Sequence, residues 1–221
     1  MTLQTNYQRL QDNLAYLKLK QCMLHLDETI ELANTQSLSH IEWLLKLSDY
    51  EVDIKRQNVI NHMVKISNFP HLKTLADFEF SFQPQINEMQ IKDLASLGFM
   101  EQAENIVFLG SSGVGKTHLA TSLGIESSRN RRSTYFIKCH DLIQNLKSAK
   151  DEGRLETRLK HYARYQLLII DEIGYLPLQP GDANLLFQII DRRYEKKSTI
   201  VTSNINFALQ HVYLLKRQQK S

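Results

Sequence analysis

The chain has 221 residues, of which 42% are hydrophobic and 23% are charged, and its formal net charge is +3. This composition is close to the globular average, so it excludes wholesale disorder and fibrous repeats. No apolar run reaches the roughly 18 residues needed to cross a bilayer, and the polar start is unlike a signal peptide. We therefore expect a cytoplasmic protein without a membrane partner. The two cysteines, Cys22 and Cys139, lack metal-ligand spacing and are expected to be reduced and inert.

Residues 7–66 show the periodicity of amphipathic helices. Leu10, Leu14 and Leu17 recur at spacings of three and four residues. Ser39 and Glu42 fit a capping box at the start of a further helix. The pattern predicts a small helical region over residues 1–68.

The pattern changes near Phe69, where an aromatic-rich segment lies between Pro70 and Pro84. We expect this segment to be an ordered linker packed on the domain that follows. Helical and apolar extended segments then alternate. The predicted strands are 105–109, 134–137, 166–170 and 199–202, and the predicted helices are 88–97, 116–128, one from about 141, and 182–195. This order predicts an α/β domain over residues 69–221, with a parallel sheet sandwiched by helices.

A phosphate-binding loop is predicted between the first strand and the helix after it. Residues 110–117 match the pattern GxxxxGK[ST] in this required context. The glycines allow the backbone to curl so that its N–H groups face phosphate oxygens at the positive end of the helix. Lys116 is the expected counter-charge, and the Thr117 hydroxyl is the expected Mg²⁺ ligand. The predicted nucleotide-binding residues are Gly110, Ser111, Ser112, Gly113, Val114, Gly115, Lys116 and Thr117.

Polar side chains at the ends of two later strands complete the predicted site. Asp171 and Glu172 follow the apolar run 167–170. Asp171 is expected to accept a hydrogen bond from Mg²⁺-bound water, and Glu172 to act as general base toward the attacking water. Asn204 follows the strand 200–203 and is placed to hold that water or to sense the γ phosphate. ATP and Mg²⁺ are thus the predicted cofactors, with Lys116, Glu172 and Asn204 as catalytic residues and Thr117 and Asp171 at the metal.

These motifs, together with FPHLKTLADFEFSFQP before the domain, resemble the IstB-like family of insertion-sequence ATP-binding proteins, relatives of the helicase loader DnaC within the AAA+ ATPases. The similarity extends from about residue 7 to Phe207 and is most specific at 69–84, 110–120, 168–178 and 186–204. GYLPL after the acidic pair and RYE before the last strand resemble IstB more than DnaC. The resemblance makes Asp171 and Glu172 the Walker B pair and Asn204 the sensor 1 residue.

The resemblance implies an ATP-dependent helper of a transposase. Such proteins assemble as homo-oligomers on duplex DNA and contact the transposase through the small N-terminal helical region. Candidate contacts to DNA phosphates are Arg129, Arg131, Arg132 and the basic residues of 147–164. Two alternatives stay open: a DnaC-like helicase loader, and a nucleotide-binding interaction module that does not hydrolyse ATP.

The sequence departs from the family pattern after Asn204. Family members continue with a segment of the DRLLHH type, which supplies an arginine finger to the neighbouring subunit, and then with a small lid. This chain continues INFALQHVYLLKRQQKS, in which Arg217 is the only arginine. We therefore expect a missing C-terminal lid, a truncated or frame-shifted copy, and impaired hydrolysis, because an arginine finger stabilises the charge on the transferring phosphoryl group.

Overall fold

The computed structural model describes residues 3–174, 181–204 and 213–216 of the chain. The chain divides into two compact units, residues 1–61 and 62–221. No helix in these described ranges is both long and apolar enough to span a membrane.

The first unit is helical, as the sequence predicted. Its helices are α1 (Leu3–Tyr16), α2 (Lys20–Leu24), α3 (Leu26–Gln36) and the first part of α4 (His40–Ile66), which continues into the second unit. A small core forms around Leu14, Cys22, Leu26 and Leu47. The capping box before α4 is confirmed, because the Ser39 N–H donates to the Glu42 carboxylate at 2.8 Å and the Glu42 N–H donates to Ser39 Oγ at 3.3 Å.

The second unit alternates strands and helices. Its further helices are α5 (Glu88–Ala95), α6 (Gly98–Glu101), α7 (Lys116–Arg129), α8 (Cys139–Asp151), α9 (Leu155–Ala163) and α10 (Asp182–Arg193). Its strands are β1 (Ile106–Leu109), β2 (Thr134–Lys138), β3 (Leu167–Ile173), β4 (Ser198–Ser203) and β5 (Tyr213–Lys216). Two short 3₁₀ turns, Leu75–Asp77 and Phe80–Phe82, lie in the linker.

The five described strands form one sheet in the order β2-β3-β4-β1-β5. The first four are parallel, as predicted, whereas β5 is an antiparallel edge strand beside β1 that the sequence analysis did not include. The register pairs Leu109 with Ser203 and Lys138 with Asp171. The carboxyl ends of the parallel strands therefore meet at one edge of the sheet, where ligands bind in open α/β folds.

Apolar residues of the sheet face helices on both sides. In β3, Leu167 and Ile169 belong to a core with α5 and α7, whereas Leu168 and Ile170 belong to a core with α8, α9 and α10. This alternation follows from the two-residue period of a strand. A continuous apolar run in the sequence therefore corresponds to a strand buried on both faces.

The linker packs on the second unit, which confirms that prediction. Phe69 and Phe78 contact the core beneath α7. At Gly124 in α7, a Cβ atom would lie 2.7 Å from Phe69 Cε1 and 2.6 Å from Ile169 Cδ1. Glycine at this position therefore lets the helix lie close to both the sheet and the linker.

Both cysteines are buried and carry free thiols. Burial raises the pKa of Cys22, and it raises the pKa of Cys139 to about 11. A raised pKa lowers the fraction of thiolate at neutral pH, and because the thiolate is the reactive form, burial disfavours reaction at both positions. This agrees with the expectation that both are inert.

Candidate functional site

The predicted phosphate loop connects β1 to α7 through two glycines with left-handed backbone. Gly113 has φ of 80° and Gly115 has φ of 92°. Side chains other than glycine are strained in this region. At Gly115 there is also no space, because a Cβ atom would lie 2.6 Å from Phe78 Cε2. The linker and the loop together therefore require glycine at the start of α7.

Lys116 is the first residue of α7, and its side chain folds back over the loop. Its Nζ donates to the carbonyl oxygens of Gly110 at 2.8 Å and Ser111 at 2.6 Å. The residue is only 6% exposed. Burial lowers the pKa of Lys116, while the charges of Asp171 and Glu172 act in the opposite direction. This desolvated cation would gain from an anionic ligand at the loop.

Asp171 connects the loop to the end of β3. Thr117 Oγ1 donates to Asp171 Oδ1 at 3.0 Å and lies 3.2 Å from Oδ2. Asp171 is 1% exposed, and the hydroxyl of Thr202 in β4 also donates to its Oδ1. A hydroxyl and a carboxylate held this close fit the oxygen ligands and water acceptors that Mg²⁺ uses beside phosphates.

Glu172 adopts a left-handed backbone conformation, with φ of 62°. Its N–H donates to Thr202 Oγ1 at 2.9 Å. Its carboxylate forms an ion pair with Lys138 at the end of β2, where Nζ and Oε2 are 3.1 Å apart. The hydrogen bond to Glu172 raises the pKa of Lys138. The two glutamate contacts thus come from strands on either side of β3.

One cavity of about 240 Å³ brings most of the predicted residues together. It is lined by Ser112, Gly113, Gly115, Lys116, Thr117, Glu172, Thr202 and Asn204. Asp171 accepts a hydrogen bond from Thr117. The carbonyl groups of Gly110 and Ser111 accept hydrogen bonds from the Lys116 ammonium. Val114 is buried in the core with α7. The predicted phosphate loop, the acidic pair Asp171 and Glu172, and Asn204 therefore lie at one site.

Two residues at this site were not singled out from the sequence, namely Thr202 and Lys138. Thr202 is a polar residue in the otherwise apolar run 200–202, and this was a signal that could have been used. The Lys138 contact depends on the register of β2 against β3, which the sequence does not display. The segment 175–178, which contains most of GYLPL, and Arg217 lie outside the described residues.

The model of the IstB-like ATP binding protein family matches residues 12–217. The chain belongs to this family. A Bacillus thuringiensis subsp. berliner protein, named as an ATP-binding protein of insertion sequence IS232, is 61% identical over 205 residues, which cover 93% of this chain and 82% of the relative.

Solved structures support the same fold for this IstB-like protein. The DnaC helicase loader is 33% identical with a TM-score of 0.50, over 54% of this chain and 68% of its own. AMPPCP-bound DnaA from Aquifex aeolicus is 18% identical with a TM-score of 0.54, over 63% of this chain and 43% of its own, and so it shows the fold alone. The chain is therefore an AAA+ P-loop protein of a nucleotide-binding, insertion-sequence family, which confirms the resemblance read from its motifs.

A second feature of this IstB-like protein is a basic surface on α9. A cavity of about 180 Å³ is lined by Ala149, Arg154, Thr157, Arg158 and His161. Burial lowers the pKa of His161, and the charges of Arg164 and Arg158 lower it further. Within the described ranges, no carboxylate lies in ion-pair contact with Arg158 or Arg164. We call Arg154, Arg158, His161 and Arg164 the α9 basic surface.

Several other basic residues considered from the sequence have acidic partners, as does Arg154 of the α9 basic surface, which pairs with Glu152. Arg129 pairs with Glu126 at 3.9 Å, and Arg132 pairs with Glu101 at 3.0 Å. Within the 147–164 stretch, Lys147 pairs with Asp182 at 2.7 Å and Lys160 with Glu156 at 3.6 Å. Arg131 and Lys150 likewise have no carboxylate in ion-pair contact within the described ranges, so the α9 basic surface is one of several candidates for phosphate contacts.

Proposed function

We propose that this IstB-like protein is an ATP-dependent helper of DNA transposition. It binds ATP with Mg²⁺, assembles as a homo-oligomer on duplex DNA in the cytoplasm and assists the transposase of its insertion sequence. The observation that carries the proposal is the single cavity shared by Lys116, Thr117 and Glu172, in a chain whose family is named for ATP binding. The name of the Bacillus thuringiensis relative supports the link to an insertion sequence.

Nucleotide binding would use the loop and the start of α7. The loop N–H groups and the helix end would hold the phosphates, and the Lys116 ammonium, which now bonds to two carbonyl oxygens, would bond to phosphate oxygens instead. Thr117 and Asp171 would hold Mg²⁺ from the side of β3. When bound, Mg²⁺ neutralises charge on the phosphate oxygens.

Hydrolysis is proposed to use Glu172 as general base. The carboxylate accepts the proton of the attacking water while the water oxygen bonds to the γ phosphorus and the bond to the ADP oxygen breaks. Asn204 lines the same cavity and is placed to orient the water. The ion pair with Lys138 orients the Glu172 carboxylate, which lines the same cavity.

Duplex DNA is proposed to contact the α9 basic surface through its phosphates. Arg158→Gln is expected to weaken duplex binding about tenfold and to reduce the slope of log affinity against log salt by about 1, because one phosphate contact is lost. Fluorescence anisotropy with a labelled duplex over a salt series measures both quantities. Arg129→Gln is the matched control, since that guanidinium already pairs with Glu126. Equal losses in both variants would argue against a specific role for α9.

The transposase is proposed to contact the first unit. Exposed apolar side chains there include Leu17, Leu24, Ile41, Leu44 and Leu45, and exposed apolar groups of this kind often contact a partner. Immobilised full chain, offered the transposase of the same insertion sequence and a replicative helicase side by side, should retain the transposase. Capture of the helicase alone would instead indicate the DnaC-like loader.

A further inference from the structure

Thr202 is a buried polar residue whose hydroxyl connects both members of the acidic pair. It lies in β4 and is 1% exposed. Its Oγ1 donates to Asp171 Oδ1 and accepts the Glu172 N–H at 2.9 Å. Since a hydroxyl carries one proton, donation to the carboxylate leaves its lone pairs for the amide. One side chain therefore hydrogen-bonds both to the Asp171 carboxylate and to the Glu172 amide in β3.

The Glu172 N–H needs such an acceptor because the ladder between β3 and β4 is interrupted there. The register runs from Ile170↔Val201 to Ile173↔Ser203, with a shift between Ile170 and Ile173. Glu172 lies inside this shift and has φ of 62°. An amide without a hydrogen-bond partner is costly away from water, so the Thr202 hydroxyl stabilises a backbone conformation that the ladder does not support.

We propose that Thr202 is a positioning residue that orients Asp171 toward nucleotide-bound Mg²⁺ and fixes the backbone from which Glu172 extends. This inference rests on the proposed function, because it assumes that ATP and Mg²⁺ bind at the cavity. Asp171 is held by hydroxyls from two directions, Thr117 on α7 and Thr202 on β4. Among the described residues, removing the β4 hydroxyl leaves the carboxylate with hydrogen bonds from Thr117 alone, while the Lys116 contacts with the phosphate loop are unchanged.

The test compares nucleotide affinity with and without Mg²⁺. Thr202→Val keeps the side-chain shape and removes the hydroxyl, whereas Thr202→Ser keeps the hydroxyl. A fluorescent ADP analogue is titrated into the full chain in Mg²⁺ and in EDTA. For Thr202→Val we expect the affinity gain from Mg²⁺ to fall about tenfold, with affinity in EDTA changed less than about twofold. Thr202→Ser should retain the wild-type gain.

Thr121→Val is the matched control. Thr121 is also buried in the second unit, and its hydroxyl has no hydrogen-bond partner among the described residues. The same substitution there should leave both affinities unchanged. Thr202→Ala gives the same comparison without adding a methyl group, should the valine variant fail to fold.

Three results would overturn the inference. A wild-type Mg²⁺ gain in Thr202→Val and Thr202→Ala would show that the hydroxyl does not position Asp171. Equal losses in Mg²⁺ and in EDTA would show a general structural role. Absence of nucleotide binding by the wild-type chain would contradict the proposed function as well, and so the two failures are distinguishable.

Discussion

Lys116→Ala is expected to weaken the affinity for ATP at least about a hundredfold. The Lys116 ammonium is buried at the phosphate loop and has carbonyl oxygens as its hydrogen-bond partners. Charge-assisted bonds to phosphate are worth up to about 3 kcal/mol, which corresponds to a factor of this size. Isothermal titration calorimetry with ATP and Mg²⁺ measures the change directly.

The control for this variant is Lys92→Ala. Lys92 lies on α5, where its ammonium pairs with Glu88 at 2.6 Å and its side chain is 64% exposed. Its removal should leave ATP affinity within about twofold, because exposed ion pairs contribute little. If both lysine variants bound ATP as tightly as the wild-type chain, Lys116 would not be the phosphate counter-charge.

Arg193→Met is expected to lower the free energy of unfolding by about 3 to 5 kcal/mol. Arg193 ends α10 and is 1% exposed, and burial lowers its pKa to about 10. Its guanidinium donates to the hydroxyl of Thr199 and to the carbonyl groups of Tyr162, Ala163, Tyr165, Gln166 and Ser198. Methionine fills similar volume but leaves these buried acceptors without donors.

Arg192→Met provides the comparison at the adjacent position. The Arg192 guanidinium bonds to the Glu156 carboxylate at 3.0 and 2.7 Å near the surface. Its loss should cost no more than about 1 kcal/mol. Urea unfolding followed by circular dichroism measures both variants. Similar stabilities for the two would mean that the Arg193 contacts do not hold the ends of α9, β3 and β4 together.

The phosphate loop could be predicted from sequence because its function depends on local spacing. Gly113, Gly115, Lys116 and Thr117 are close in the chain, and the strand before them and the helix after them show clear periodicity. The proximity of Asp171 to Thr117 could also be predicted from the sequence, because parallel strands place their carboxyl ends at one edge of the sheet. The structure places both side chains in hydrogen-bond contact.

Contacts that depend on register or on long-range packing could not be predicted in the same way. The ion pair of Lys138 with Glu172 requires the alignment of β2 with β3, and the antiparallel β5 follows no periodic signal of its own. Arg193 has the sequence signature of an exposed helix end, since arginine is common there. Only the packing of α9, β3 and β4 around it makes it a buried residue.

The most direct test of the central claim is steady-state ATP turnover by the full chain. It is measured with and without duplex DNA, and the variant Glu172→Gln is measured beside the wild-type chain. We expect turnover by the wild-type chain to be slow, as its departure from the family pattern after Asn204 predicts, and to rise when duplex DNA is added. Glu172→Gln should retain ATP affinity within about threefold and lose turnover about a hundredfold, because the amide cannot accept the proton of the attacking water. Tight ATP binding with negligible wild-type turnover in both conditions would contradict the account and indicate a nucleotide-binding module that does not hydrolyse ATP.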